Sequence, residues 1–124
     1  MTEEPSRLKI VERQVGDVTV LVLTGEVLVD DGDLAFRQCA HDLIGKGQIK
    51  IVVDFAGITH VDSSGVGMMV AKLLTVRRNG GDIRLVHLTS RSQRLLATMK
   101  LLTIFETFDD EAAAVRSFSE RATG

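Results

Sequence analysis

The sequence predicts a single α/β domain with a mostly parallel central sheet, an antiparallel hairpin at its N-terminal end and about four helices. Three observations carry this expectation. Short runs dense in β-branched apolar residues alternate with segments whose apolar residues recur at helical spacing. The first two runs are separated only by the turn pair Gly16-Asp17. The chain has 124 residues, 44% of them hydrophobic and 26% charged, which suits one domain with a core of its own.

Taken in order, residues 1–6 are polar, contain the only proline and are expected as a flexible tail. The folded domain is expected over 7–120, with 121–124 as a C-terminal tail. Leu8–Arg13 and Asp17–Thr24 are the hairpin strands; the second, with Val18, Val20, Val22 and Thr24, reads as buried. Gly25 to Asp33, punctuated by Asp30, Asp31, Gly32 and Asp33, predicts a loop leading into a helix. Phe36, Cys39, Ala40, Leu43 and Ile44 then recur at helical spacing up to Gly45 or Gly47. Ile49–Phe55 is a short apolar run suited to a central parallel strand.

A second main helix follows, with Val66, Met69, Val70, Leu73 and Val76 on one face and Asn79-Gly80-Gly81 as its stop. Ile83–Leu88 is the fourth strand. Ser90-Arg91-Ser92-Gln93 has the spacing of a capping box before a helix through Leu95, Leu96 and Met99. Ile104–Phe108 is a short last strand. Asp109-Asp110-Glu111 then places acids in the first turn of a final helix, where they complement its dipole. The order is β-β-α-β-α-β-α-β-α, and strands that alternate with helices imply crossovers between parallel strands.

Composition removes several function classes. The formal net charge is −2 with both signs interleaved, so no nucleic-acid patch is expected. There is no Trp or Tyr, and the five Phe make no stacking platform for single strands. Cys39 is the only cysteine and cannot form an internal disulfide, which fits a reducing compartment. The opening residues MTEEPSRLKI lack the basic-then-apolar order of a signal peptide. No apolar run approaches the ~20 residues that span a bilayer. A cytoplasmic protein without membrane insertion is therefore the expectation.

The informative stretch is Thr59-His60-Val61-Asp62-Ser63-Ser64-Gly65-Val66-Gly67, between an apolar strand and a helix. A nucleophile elbow needs Gly-x-Ser-x-Gly; the frame centred on Ser63 lacks the first glycine and the frame on Ser64 lacks both. The available bases are His41 in mid-helix, His60 in the loop and His87 in a strand. A phosphate loop needs Lys-Ser/Thr after its glycines, and the nearest lysine is Lys72, two turns on. No Cys/His/carboxylate cluster has metal-ligand spacing. No catalytic residue, metal or cofactor is expected. Asp62, Ser63 or Ser64 caps the helix. One oxygen suffices for that, and capping leaves Gly65 and Gly67 unexplained, each costing up to ~1 kcal/mol relative to alanine within a helix.

The segment from Ile49 to Val70, with its strand, Asp62-Ser63-Ser64-Gly65-Val66-Gly67 turn and helix, resembles the signature of the STAS domain of anti-sigma factor antagonists. Thr24-Gly25-Glu26, Asn79-Gly80-Gly81 and Leu101-Leu102-Thr103-Ile104-Phe105 fall in the same register, so the likeness covers nearly the whole chain. The resemblance implies a protein-binding switch rather than an enzyme. It implies that Ser63 is phosphorylated by a partner anti-sigma factor, itself a serine kinase of the histidine-kinase-like ATPase type. It also implies that the unmodified protein sequesters that kinase and that a phosphatase resets the switch. Ser64 is then the capping or orienting neighbour, and Asp62 positions the loop.

The switch and docking residues expected on this basis are Asp62, Ser63, Ser64, Gly65, Gly67 and Met68. Met68 falls on the side of the helix shared with Lys72 and Thr75, and is expected to be exposed one turn from Ser63. Arg91 and Arg94 read as a solvated basic face. One departure bears on the partner: the family pattern Gly-Glu-Leu-Asp is Gly25-Glu26-Val27-Leu28 here, with Leu28 where an acid is usual. The alternative reading is a STAS subunit that docks, unphosphorylated, on an ABC-type transporter ATPase or another signalling assembly.

Overall fold

The computed structural model describes residues 8–28 and 31–123. The elements follow the order β1 Leu8–Val15, β2 Val18–Val27, α1 Asp31–Gly45, β3 Lys50–Val61, α2 Ser63–Arg78, β4 Asp82–Val86, α3 Ser90–Thr98, β5 Glu106–Phe108 and α4 Glu111–Thr123. They build one five-stranded sheet in the order β1-β2-β3-β4-β5. β1 runs antiparallel to β2, and every later neighbour is parallel.

Sequential parallel strands joined by right-handed crossovers place all their helices on one face. Accordingly Phe36, Ala40 and Leu43 of α1, Val66, Met69 and Leu73 of α2, and Leu96 of α3 share a core with Leu21, Leu23, Ile51, Val53, Ile83 and Leu85. α4 comes after the last strand and covers the opposite face, where Ala114 and Phe118 meet Val18, Val20, Val52 and Val86. The central strands are thus apolar on both faces, as buried parallel strands must be.

Several boundaries differ from the sequence expectation. β3 does not stop at Phe55 but runs on to Val61, staying paired with β2 as far as Val27↔Val61. Two register shifts absorb the extra residues of β3, one between Val22 and Thr24 and one between Gly25 and Glu26 of β2. Gly57 makes the first possible: a Cβ there would lie 2.8 Å from the Leu23 carbonyl oxygen. His60 is therefore a strand residue, not a loop residue. β4 ends at Val86, and His87 lies beyond it at φ 56. β5 is confined to Glu106–Phe108.

α3 is capped by Thr89, whose side chain accepts from the Ser92 N–H at 3.0 Å, so the cap sits one residue before the predicted Ser90. α4 continues to Thr123, into the expected C-terminal tail. The expected N-terminal tail, and Val29 and Asp30 of the β2–α1 loop, lie outside the described residues. None of the helices among the described residues is long and apolar enough to cross a membrane.

Candidate functional site

α2 begins at the carboxyl end of β3, where the parallel register brings its first turn against the end of β2. Asp62 has extended backbone angles and is the N-cap: its Oδ1 accepts from the Gly65 N–H at 2.7 Å. Its carbonyl oxygen takes the first helical bond, from Val66 N at 3.0 Å. Its own N–H points back to the Val27 carbonyl oxygen at 3.4 Å. One residue of the three possible thus does the capping, and neither serine is needed for it.

The two glycines separate cleanly. A Cβ on Gly65 would stand 2.3 Å from the Val27 oxygen and 3.1 Å from its carbonyl carbon, so the first turn of α2 can lie against β2 only without a side chain there. Gly65 is buried, and its role is internal packing. A Cβ on Gly67 would meet nothing within 4 Å, and the residue is exposed.

Ser63 and Ser64 are both exposed, as the first two residues of the helix. Their backbone N–H groups have no intrahelical acceptor at these positions, and the first turn holds no acidic side chain. This is a helix end that attracts an anion with nothing but the Asp62 cap to complement it. On the exposed side Ser63, Ser64, Gly67 and Ala71 lead to Leu74, which is 48% exposed.

Met68 is not part of that surface. It is buried at 8% exposure within the core of the α1–α3 face. The buried residues Gly65, Val66, Met68, Met69, Leu73 and Val76 subtend an arc of about 160° at ~100° per residue. Such a wide arc arises because α2 packs on the sheet and on α1 together. A single inward face of Val66, Met69, Val70, Leu73 and Val76 is narrower and leaves Met68 outside it. Lys72 and Thr75 are half-buried; Arg91 and Arg94 are exposed, as a solvated face requires.

Sequence reasoning missed a pair beside the loop. His60 stands opposite Glu26 in the β2–β3 register, with its Nδ1 3.4 Å from Glu26 Oε2 and 3.2 Å from Thr59 Oγ1. The Thr59 hydroxyl in turn donates to the Gly25 carbonyl oxygen at 3.1 Å. The signal that could have found it is the β-branched character of Ile58, Thr59 and Val61, which continues the strand beyond Phe55.

Among the described residues no histidine hydrogen-bonds Ser63 or Ser64: His60 contacts Glu26 and Thr59, and His87 Nδ1 lies 3.2 Å from Asp54 Oδ1. No group of three potential metal ligands occurs among the described residues. Burial pushes the Cys39 thiol up to about 11, which keeps it protonated and unreactive at neutral pH.

A sequence profile of the STAS domain matches residues 9–114. The chain belongs to the STAS domain family. This STAS domain is 27% identical over 113 residues to a Thermotoga neapolitana protein provisionally named an anti-sigma factor antagonist, covering 91% of this chain and 96% of the relative. Its fold matches the crystal structure of a Thermotoga maritima protein of the same provisional name, with a TM-score of 0.81 at 24% identity over 87% of this chain and 92% of that one. It also matches the Bacillus cell fate determinant SpoIIAA in its phosphorylated form, with a TM-score of 0.69 at 20% identity over 88% of this chain and 99% of the other. STAS anti-sigma factor antagonists are regulatory binding proteins, not enzymes.

Proposed function

We propose that this STAS domain is an anti-sigma factor antagonist whose binding is switched by phosphorylation of Ser63. Unmodified, it sequesters a serine-kinase anti-sigma factor of the histidine-kinase-like ATPase type in the cytoplasm. Modified, it releases that partner until a phosphatase resets the serine. The observation that carries the proposal is the exposure of Ser63 on the first turn of α2 while Asp62 takes the cap. The hydroxyl can be modified without removing a hydrogen bond that holds the fold.

The physics of the added group favours a surface switch. A phosphoryl group brings about −1.5 to −2 charges and three acceptor oxygens. At a helix N-terminus the dipole and the free N–H groups tolerate that charge, so the domain need not unfold. A docked partner instead meets bulk, repulsion and the cost of desolvating the anion. Asp62, one residue away, adds its own negative charge. The exposed line Ser64, Gly67, Ala71 and Leu74 offers the adjoining contact surface in place of Met68.

The test is incubation with the cognate kinase and ATP, followed by intact mass and peptide mapping. One phosphoryl group on Ser63 is expected, none on Ser63→Ala, and weakened partner binding for Ser63→Asp. Modification elsewhere by that partner, or wild-type binding by Ser63→Asp, overturns the mechanism. Capture of an ABC-type ATPase instead of a kinase favours unphosphorylated docking.

A further inference from the structure

At the opposite end of α2 lies a crevice of about 390 Å³, bounded by the starts of β3, β4 and β5, the end of α2 and the face of α4. Its charged walls are Lys50, Arg77 and Arg84 against Asp82 and Glu106, with the Phe118 ring as an apolar side. The rest of the wall is Gly80-Gly81, where no side chain narrows the opening. Its volume lies in the range of small-ligand sites.

Arg84 is the unusual group, a guanidinium only 3% exposed. Its Nε donates to Asp82 Oδ2 at 3.0 Å, its Nη1 donates to the Ser117 hydroxyl, and its Cζ lies over the Phe118 ring, 4.0 Å from the ring centroid. Asp82 is shared, since its Oδ1 accepts from Arg77 Nε at 2.9 Å. One carboxylate therefore serves two guanidinium groups. Glu106 Oε2 is 3.5 Å from Arg84 Nη2, longer than an ordinary charged hydrogen bond. Among the described residues the Lys50 ammonium is held by Asp17, at 2.6 Å, whose side chain is 71% exposed and lies outside the crevice walls. Exposed pairs of that kind exchange partners at little cost.

Three cations thus face two carboxylates inside a partly closed, low-dielectric crevice, and the most deeply buried cation is held rigidly by its neighbours. We propose that this crevice binds a small oxyanion, a phosphate- or carboxylate-bearing molecule. Lys50 swings from Asp17 onto the anion, and Arg84 supplies the fixed charge at the base. An excess of positive groups on the walls concentrates anions there as a charged cleft does. α2 has 16 residues, so the site lies about 24 Å from Ser63 along the helix at ~1.5 Å per residue. Occupancy therefore leaves the Ser63 surface open and stands independently of the switch.

The test is an amide-resolved NMR titration with pyrophosphate in one arm and citrate in the other, at ionic strength held constant with sodium chloride. Saturable shifts are expected at Lys50 and Gly80 to Arg84, with Ser63 to Gly67 unmoved; the arm that saturates identifies the oxyanion class. Lys50→Ala is expected to weaken binding roughly tenfold, the loss of one charge-assisted contact. Asp17→Asn, which removes the competing acid from an exposed turn, is expected to tighten it. Shifts no larger than chloride produces, saturation at another surface, or affinities unchanged in both variants overturn the assignment.

Discussion

The carbonyl oxygen of Val27 stands 2.3 Å from the point where a Cβ on Gly65 would lie. The last residue of β2 and the first turn of α2 are thus in backbone contact, and this contact holds Ser63 in place. Gly65→Ala forces one of two backbones to move and is expected to destabilise the domain by about 1–3 kcal/mol, as overpacking does. Gly67→Ala fills open space in a helix and is expected to stabilise by up to ~1 kcal/mol. Urea unfolding of the two variants gives opposite signs if the assignment is right.

Asp62 caps α2 through Oδ1 and the Gly65 N–H. Asp62→Ala is expected to cost about 0.5–2 kcal/mol, and Asp62→Asn much less, because an amide oxygen still accepts the bond. Ser64→Ala, whose hydroxyl makes no capping bond, is expected to leave stability within ~0.5 kcal/mol of wild type. Thermal unfolding of the three proteins side by side checks the order.

Met68 packs in the core, so its truncation is expected to act on stability rather than on docking. Met68→Ala is expected to cost about 2–5 kcal/mol, whereas the volume-conserving Met68→Leu stays within ~1.5 kcal/mol. Met68→Leu is also expected to bind the partner as wild type does. A binding defect in Met68→Leu with an unchanged unfolding curve would return the residue to the interface.

Burial raises the Cys39 thiol to about 11 in the folded protein. The group is neutral when protonated, and its folded-state pKa is above its ordinary value. Its contribution is therefore complete below the ordinary thiol range, near pH 9, and is lost as pH rises toward 11. Stability of the wild type is expected to fall over that window more than stability of Cys39→Ala. Native protein is also expected to react slowly with iodoacetamide at pH 7.5 and quickly in urea.

Much of this architecture is legible in the chain before folding. Val18 to Thr24 and Ile49 to Phe55 alternate with helical segments, and that alternation specifies parallel strands with crossovers. Gly16-Asp17 specifies the hairpin. Boundaries were less legible. Ala56-Gly57 looks like the end of a strand, yet the chain bulges there and runs on beside β2 to Val61, with Ile58, His60 and Val61 paired to Gly25, Glu26 and Val27. Ser90 and Thr89 are both capping residue types, and in the folded chain it is Thr89 that has the extended backbone of a cap and accepts from the Ser92 N–H.

Residue types and spacing were enough to single out Asp62-Ser63-Ser64-Gly65-Val66-Gly67 as a helix start richer in hydroxyls and glycines than a cap requires. They also weigh against a nucleophile elbow and a phosphate loop, because both call for residues that are missing from this stretch. The folded chain was needed to divide the labour within the motif. Asp62 is the cap, Gly65 is a contact with Val27, Gly67 is open surface, and Met68 belongs to the core. The reason is physical: a cap or an apolar stripe is local to one helix, whereas these assignments depend on β2 and α1, which lie far away in sequence and meet α2 only through the sheet register.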